Sequence, residues 1–315
     1  MHKVFIDGES GTTGLKIRHL LKGAVESGRV GLISLTDRRD IDQRMQALNT
    51  ADVSILCLHD DVAKEALQLL GHDTPSRILD ASSAHRTAAN WVYGFPELSD
   101  TQPSDIARAN FVSNPGCYAT GAIAILNPLQ KAGLLPTGHP IVIDGFSGYS
   151  GGGKDMIRDY EETEGFSLEN TFRMYSLGKV HKHVPEIQTH ANLAMAPDFI
   201  PHVINLYQGM YVSVPVFSRN AGIVDLHRVL KLAYSSPTST VRVVPLSETP
   251  DVLNLERFLK IPASDESVSS HLNIYVTGYD AKDGTRARIV AELDNLGKGA
   301  AAQAVQNLNL MLGLS

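Results

Sequence analysis

The chain has 315 residues, 34 acidic against 28 basic side chains, a formal net charge of −6, and 43% hydrophobic against 20% charged residues. That balance is globular and long enough for two domains or one large α/β body, and it gives no basic footprint for nucleic acid or an anionic membrane surface. Two cysteines exclude a disulfide scaffold and fit a reducing cytoplasmic compartment.

Residues 4–6 form a short β-rich run. Neither the charged-then-apolar stretch of a signal peptide nor an apolar run long enough to cross a bilayer is present, so a soluble, unexported protein is expected. Gly8-Glu9-Ser10-Gly11-Thr12-Thr13-Gly14 follows directly, and Ile17, Leu20, Leu21 and Ala24 then fall on one helical face before the next strand-like run at 32–35. In a strand, Gly-rich turn, helix, strand unit, Gly8, Gly11 and Gly14 let the backbone approach a pyrophosphate while the N–H groups of Ser10, Gly11, Thr12 and Thr13 face its oxygens. The spacing is GxxGxxG rather than GxGxxG, and an ordinary tight β–α turn has the same composition, so position carries the reading. At Thr36-Asp37-Arg38-Arg39, Asp37 suits a ribose 2′-OH and hence NAD, whereas Arg38 and Arg39 suit a 2′-phosphate and hence NADP. A solvated loop is the third reading; two arginines outnumber one acid, and NADP(H) is expected.

Runs at 53–58, 78–79 and 111–112 continue the alternation, which predicts a parallel, doubly wound sheet, with Cys57 as core. Asp80-Ala81-Ser82-Ser83-Ala84-His85-Arg86 follows the fourth strand, where ligands of open α/β sheets bind; Arg86 either grips a substrate carboxylate or lies on the surface. Ser113-Asn114-Pro115-Gly116-Cys117 then places a thiol after a Pro-Gly bend and before Ala119, Ala122, Ile123 and Leu126, which recur at helical spacing. Unpaired N–H groups and the dipole at a helix start favour a thiolate, lowering a cysteine pKa from about 8.5 into a range of about 3.5–7.5. A buried small hydrophobe is the alternative.

From 141 onward the character changes. Strand-like segments at 141–143, 211–216, 241–244, 272–276 and 287–291 predict a mixed or antiparallel sheet in a second domain. Ser147-Gly148-Tyr149-Ser150-Gly151-Gly152-Gly153-Lys154 is a second Gly-rich turn, suited to wrapping an anion such as phosphate but without P-loop spacing; a flexible loop is the alternative. His181-Lys182-His183-Val184-Pro185-Glu186-Ile187 offers two imidazoles. No third and fourth ligand stands at typical spacing, so no metal is expected, and a general acid/base for the thiol is the better reading. Asp294-Asn295-Leu296-Gly297-Lys298-Gly299-Ala300 precedes a helical pattern over 299–312. Its donors either meet a nicotinamide carboxamide, returning the last helix to the first domain, or simply cap that helix.

Together these segments resemble the N-acetyl-γ-glutamyl-phosphate reductases of arginine biosynthesis, in their short bacterial form, from residue 8 to the C-terminus. The most specific stretches are 113–121, 181–187 and 294–300, in that order. The wider aspartate-semialdehyde dehydrogenase group shares the GxxGxxG turn, the Asn-Pro-Gly-Cys segment and Asn-Leu-x-Lys-Gly. His-x-His-x-Pro-Glu and Tyr93-Gly94-Phe95-Pro96-Glu97-Leu98 resemble the reductases instead, while the 80–86 run departs from the acidic-Phe-Arg ending common there.

The resemblance implies a Rossmann-type doubly wound parallel sheet (1–116 with 298–315) holding NADP(H), the C-terminal helix returning to it. It implies a second α+β domain (117–297) with a mixed sheet for catalysis and oligomerisation. The implied reaction is NADPH-dependent reduction of N-acetyl-L-glutamyl 5-phosphate to the 5-semialdehyde and inorganic phosphate, in a cytoplasmic homodimer or homotetramer. Cys117 is then the nucleophile that forms a thioester and His183 the acid/base, although spacing does not rank it over His181. Arg86, Asn114, Ser147, Gly148, His181 and Lys154 are implied substrate contacts. Gly8, Ser10, Gly11, Thr12, Thr13, Gly14, Arg38, Arg39, Asn295 and Lys298 are implied cofactor contacts. The rivals are reduction of aspartyl or carrier-bound aminoadipyl phosphate, and a non-catalytic NADP(H)-sensing protein.

Overall fold

Strands covered by helices on both faces have no polar face, and the first third of the chain is written that way: all four residues of Val53–Leu56 are buried. In the computed structural model, which describes residues 1–37, 39–70, 76–135, 138, 140–162, 171–255, 258 and 268–314, these runs become a six-stranded sheet. Its strands β1 (His2–Asp7), β2 (Val30–Ile33), β3 (Val53–Leu56), β4 (Arg77–Asp80), β5 (Val92–Tyr93) and β6 (Phe111–Ser113) lie in the order β2-β1-β3-β4-β6-β5, every pair parallel. Helices α1 (Thr12–Leu20), α2 (Lys22–Glu26), α3 (Ile41–Thr50), α4 (Asp60–Gln68) and α5 (Gln102–Arg108) connect them.

Alternation along β1 divides this core in two. Val4 and Ile6 join Ile17, Ile55 and Leu79 on one face, whereas Phe5 joins Leu48, Leu56 and Ile78 on the other. The C-terminal helix, Ala302–Leu312, sends Ala304, Leu308 and Met311 into the first of these clusters, so it does return to the first sheet. Two strand readings need correction. β2 ends at Ile33, two residues before the expected end at 35, because Thr36 and Asp37 already turn their N–H groups to Gln43 of α3. β5 was not expected, since two residues carry no periodicity.

Residues Met1–Gly116 with Ala300–Ser315 form one unit, and Cys117–Gly299 the other. The second unit carries β7 (Val142–Gly148), β8 (Phe172–Met174), β9 (Asp198–Ile204), β10 (Met210–Ser218), β11 (Val241–Val243), β12 (Leu272–Ala281) and β13 (Gly284–Leu293). Their order is β11-β12-β13-β10-β7-β9-β8, with β11·β12 and β7·β9 parallel and the other pairs antiparallel, so the sheet is mixed as expected. Neither β8 nor β9 was legible. β9 contains Pro201, a residue that argues against an interior strand because it donates nothing to a ladder. Pro215 in β10 is tolerated because β7 pairs only with Met210 to Ser213, leaving Pro215 opposite Arg288 of β13 alone.

Helices α6 (Cys117–Lys131), α7 (Gly153–Glu161), α8 (His183–His190) and α9 (Ile223–Ala233) belong to this unit. α6 is apolar nearly all round, and each residue from Tyr118 to Leu129 is buried. Its Pro128 lacks the N–H that would meet the Ala124 carbonyl four residues back. The Tyr234 hydroxyl, just past α9, donates to that carbonyl at 2.7 Å instead.

Candidate active site

In the first unit, β1 delivers the chain into the turn at 8–14. Gly8 has φ +86, a conformation that L side chains rarely adopt, and a Cβ there would strike the Cys57 carbonyl. The Gly11 N–H closes the turn on the Gly8 carbonyl at 2.9 Å, and α1 starts at Thr12. The N–H groups of Thr12, Thr13 and Gly14 therefore have no acceptor within the helix, the arrangement that receives a phosphate. A Cβ on Gly14 would stand 2.6 Å from the Gly8 carbonyl, so the cradle depends on the missing side chain. Beside it runs a crevice of ≈ 260 Å³ lined in part by Asp7, Gly8, Glu9, Leu35, Arg44 and Leu58. Glycine cradle, helix start and apolar crevice fit a dinucleotide. Asp37 Oδ1 accepts the Arg39 N–H at 2.9 Å; Arg39 itself is exposed, and Arg38 lies outside the described residues.

Arg86 is only 8% exposed, which corrects the surface reading. Its Nε donates to the Asn114 carbonyl at 3.0 Å and its Nη2 to the Ala81 carbonyl at 3.2 Å. The Asn114 side chain donates to the Ala300 carbonyl at 3.1 Å and accepts from Asn307 at 3.0 Å. Both residues thus brace the backbone that leads into Cys117. Asp80, fully buried, accepts from the Ser82 N–H and hydroxyl and from His85 Nδ1 at 2.6 Å, and the His85 ring stacks on Trp91. Cys57 is partly buried and packs against the first core cluster, and its thiol is pushed up to about 12 by burial foremost and by the charges of Asp80 and Asp7.

In the second unit, Cys117 is the first residue of α6, partly exposed and in no disulfide. Gly299 lies against it, where a Cβ would stand 2.8 Å from the Cys117 Cβ. The Cys117 charge helps raise the pKa of Tyr118 and Tyr175, burial being the larger cause for both. Tyr118 donates to the His202 carbonyl at 2.7 Å and meets the rings of His181 and His183 edge-on, at 6.2 Å and 5.9 Å.

The two imidazoles differ in kind. His183 opens α8, is 4% exposed, and is held at Nδ1 by the Glu186 carboxylate at 2.8 Å, one turn along the helix. With the proton on Nδ1, Nε2 is its basic end. His181 accepts the His183 backbone N–H at Nδ1, 3.2 Å away, so its own proton sits on Nε2, 3.4 Å from the Tyr175 hydroxyl. Burial foremost, then the nearby His183 and Lys182 charges, pull the His181 pKa down to about 3, with Glu186 opposing. The His183–Glu186 pair has an i,i+3 signal readable in sequence; Tyr175 has none.

The second Gly-rich turn is braced rather than loose. Ser147 donates to the Gly148 carbonyl at 2.9 Å, and the Tyr149 and Ser150 N–H groups reach the Leu206 and Tyr207 carbonyls. Asn295 accepts the Gly209 N–H at 2.8 Å and donates to the Ser150 hydroxyl at 2.9 Å, so both ends of its amide act within this unit. Lys298 is fully buried, and Lys154 is exposed in the first turn of α7. Among the described residues no cluster of three or more His, Cys, Asp or Glu could hold a metal, and no helix is long and apolar enough to cross a membrane.

Residues 117–295 match the semialdehyde dehydrogenase dimerisation domain family. Proteins named N-acetyl-gamma-glutamyl-phosphate reductase are similar over nearly the whole chain. That of Sinorhizobium medicae is 42% identical, covering 98% of each chain. That of Trichormus variabilis is 44% identical, covering 99% of this chain and 97% of its own, and that of Brucella canis 43%, covering 99% of each. Among solved structures, aspartate semialdehyde dehydrogenase II from Vibrio cholerae superposes with TM-score 0.68 at 16% identity, covering 99% of this chain and 98% of its own. Aspartate semialdehyde dehydrogenase with NADP from Candida albicans gives 0.62 at 13%, covering all of both chains. At such identity the structural likeness is one of fold.

Proposed function

The chain belongs to the N-acetyl-γ-glutamyl-phosphate reductase family, and from that premise we propose how its residues carry the NADPH-dependent reduction of N-acetyl-L-glutamyl 5-phosphate to the 5-semialdehyde and phosphate. The observation that carries the assignment is the presence in one unit of a helix-start thiol, Cys117, and a carboxylate-backed imidazole, His183, whose ring meets that of Tyr118, the residue after Cys117.

His183 Nε2 takes the Cys117 proton while Glu186 holds Nδ1–H and stabilises the imidazolium. The thiolate attacks the acyl carbon, the carbon–oxygen bond to phosphate breaks, and a thioester forms as the imidazolium returns its proton to the departing phosphate. Backbone N–H groups at the α6 start receive the oxyanion. NADPH, held by the turn of Gly8, Ser10, Gly11, Thr12, Thr13 and Gly14, supplies a hydride when bound. Cleavage of the carbon–sulfur bond then frees the aldehyde and restores the Cys117 thiolate. His181, neutral and donating from Nε2, is a substrate contact rather than the base. Arg86, Asn114 and Asn295 serve by bracing the segments around these groups.

The first unit is the NADP-binding domain and the second the catalytic and oligomerisation domain. One face of the second sheet leaves Val142, Phe217 and Tyr279 at 38%, 41% and 60% exposure around a crevice of ≈ 580 Å³, which supports assembly into a homodimer or homotetramer. Two cysteines in no disulfide suit a cytoplasmic location.

The test follows the reduced-cofactor absorbance band with N-acetylglutamate semialdehyde, phosphate and NADP. Wild type is expected to reduce NADP only with phosphate present, and Cys117→Ser to lose on the order of 10³-fold or more of that rate. Turnover with aspartate semialdehyde alone would transfer the substrate assignment to the aspartyl rival. NADPH binding without any turnover would favour the sensor.

A further inference from the structure

Arg44 on α3 reaches across to the end of β1. Its Nε donates to Asp7 Oδ2 at 2.8 Å, and its side chain is 15% exposed. Its Nη2 is buried and has no hydrogen-bond partner among the described residues, a costly state for a cation. The same side chain lines the crevice formed with Leu35 beyond β2 and with Gly8 and Glu9 of the phosphate turn. That crevice lies at the carboxyl ends of parallel strands, where the adenosine half of a dinucleotide binds.

Beyond β2, two backbone donors and one carboxylate oxygen are engaged within the chain. The Thr36 and Asp37 N–H groups turn to Gln43, and Asp37 Oδ1 is taken by the Arg39 N–H. A guanidinium anchored at one edge and left with an unpaired N–H group at the other is suited to an oxyanion, because its planar fork offers donors to a phosphate.

We propose that Arg44 is a specificity-determining residue for NADPH over NADH: Nη2 donates to the adenosine 2′-phosphate while Nε remains on Asp7. This rests on the NADP(H) reading above and adds a residue that the arginines at 38 and 39 had obscured. The pair with Asp7 fixes the guanidinium before the coenzyme arrives, so little side-chain freedom is lost on binding.

Equilibrium titration separates the possibilities, read by the fluorescence of bound reduced nicotinamide for wild type, Arg44→Gln, Arg44→Lys and Asp7→Asn, with NADPH and with NADH. Arg44→Gln is expected to weaken NADPH binding by roughly 10- to 100-fold and NADH binding by less than about threefold. Arg44→Lys, which keeps the charge without the fork, is expected to fall between, again with NADPH alone. Asp7→Asn, whose amide oxygen can still accept from Arg44 Nε, is expected to change the ratio of the two affinities far less than Arg44→Gln. Equal weakening of both coenzymes by Arg44→Gln, or a change of that ratio in Asp7→Asn as large as in Arg44→Gln, overturns the proposal and leaves Arg44 as a tie between α3 and β1. Wild type binding both coenzymes equally also overturns it while the reductase reading stands. Wild type binding neither removes the cofactor reading itself.

Discussion

Along the chain Cys57 comes directly after β3 and Cys117 four residues after β6, and each has a glycine pressed against it. Gly8 meets the Cys57 carbonyl, and Gly299 meets the Cys117 Cβ. Beyond that the regions diverge. The Cys57 thiol is pushed up to about 12 by burial foremost and then by the charges of Asp80 and Asp7. Cys117 heads a 15-residue helix, in a unit where His183 is backed by Glu186. A place soon after a β-strand therefore leaves the chemistry of a cysteine undecided; burial, the sign of nearby charge and the N–H groups at a helix start decide it.

The sharpest way to break this comparison is alkylation with iodoacetamide at pH 7. A thiol at about 8.5 holds on the order of 10³-fold more thiolate than one at about 12. Cys117 is expected to react at least that much faster than Cys57, as read by peptide mass analysis; comparable rates would erase the distinction.

The glycine contacts come next. Gly8→Ala combines the positive φ with a clash on backbone, and is expected to cost about 1–3 kcal/mol of stability and to weaken NADPH binding with little change in Cys117 alkylation. Gly299→Ala pushes on Cys117 itself, with an expected cost of about 1–3 kcal/mol and slower Cys117 alkylation. Denaturant midpoints together with alkylation rates check both; identical patterns in the two variants would show that the glycines serve packing alone.

The smallest effect is a slope with pH. His181 is held near 3, below its ordinary value of about 6.5, so between those pH values the unfolded chain binds the extra proton. Its neutral state is fully present above about 6.5, and stability is lost as pH falls toward 3. Urea midpoints at pH 7 and pH 5 are expected to fall less in His181→Gln than in wild type. An equal fall in both would place the burial of His181 in doubt.

Local patterning was enough for the parallel sheet and the helix start at Cys117, because apolar period and turn chemistry are written within a few residues of each other, whereas the return of the last helix was legible only through the family resemblance. β8 and β9 escaped because Pro201 interrupts one and the other has three residues. In the site, the two histidines were visible but not their difference. That difference rests on which ring nitrogen accepts the His183 N–H and which is held by Glu186.

The sequence alone determined the fold class, the helix start at Cys117 and the glycine turn after β1, since each depends on residues adjacent along the chain whose conformational preferences act locally. Tertiary structure alone decided the rest. Arg44 finds Asp7 across 37 positions, Tyr234 supplies the Ala124 carbonyl from 110 positions away, and Asn295 braces Ser150 from 145. No local preference encodes such pairs. They form because folding removes water from polar groups that must then find partners, and only the packed chain specifies which partners stand within reach.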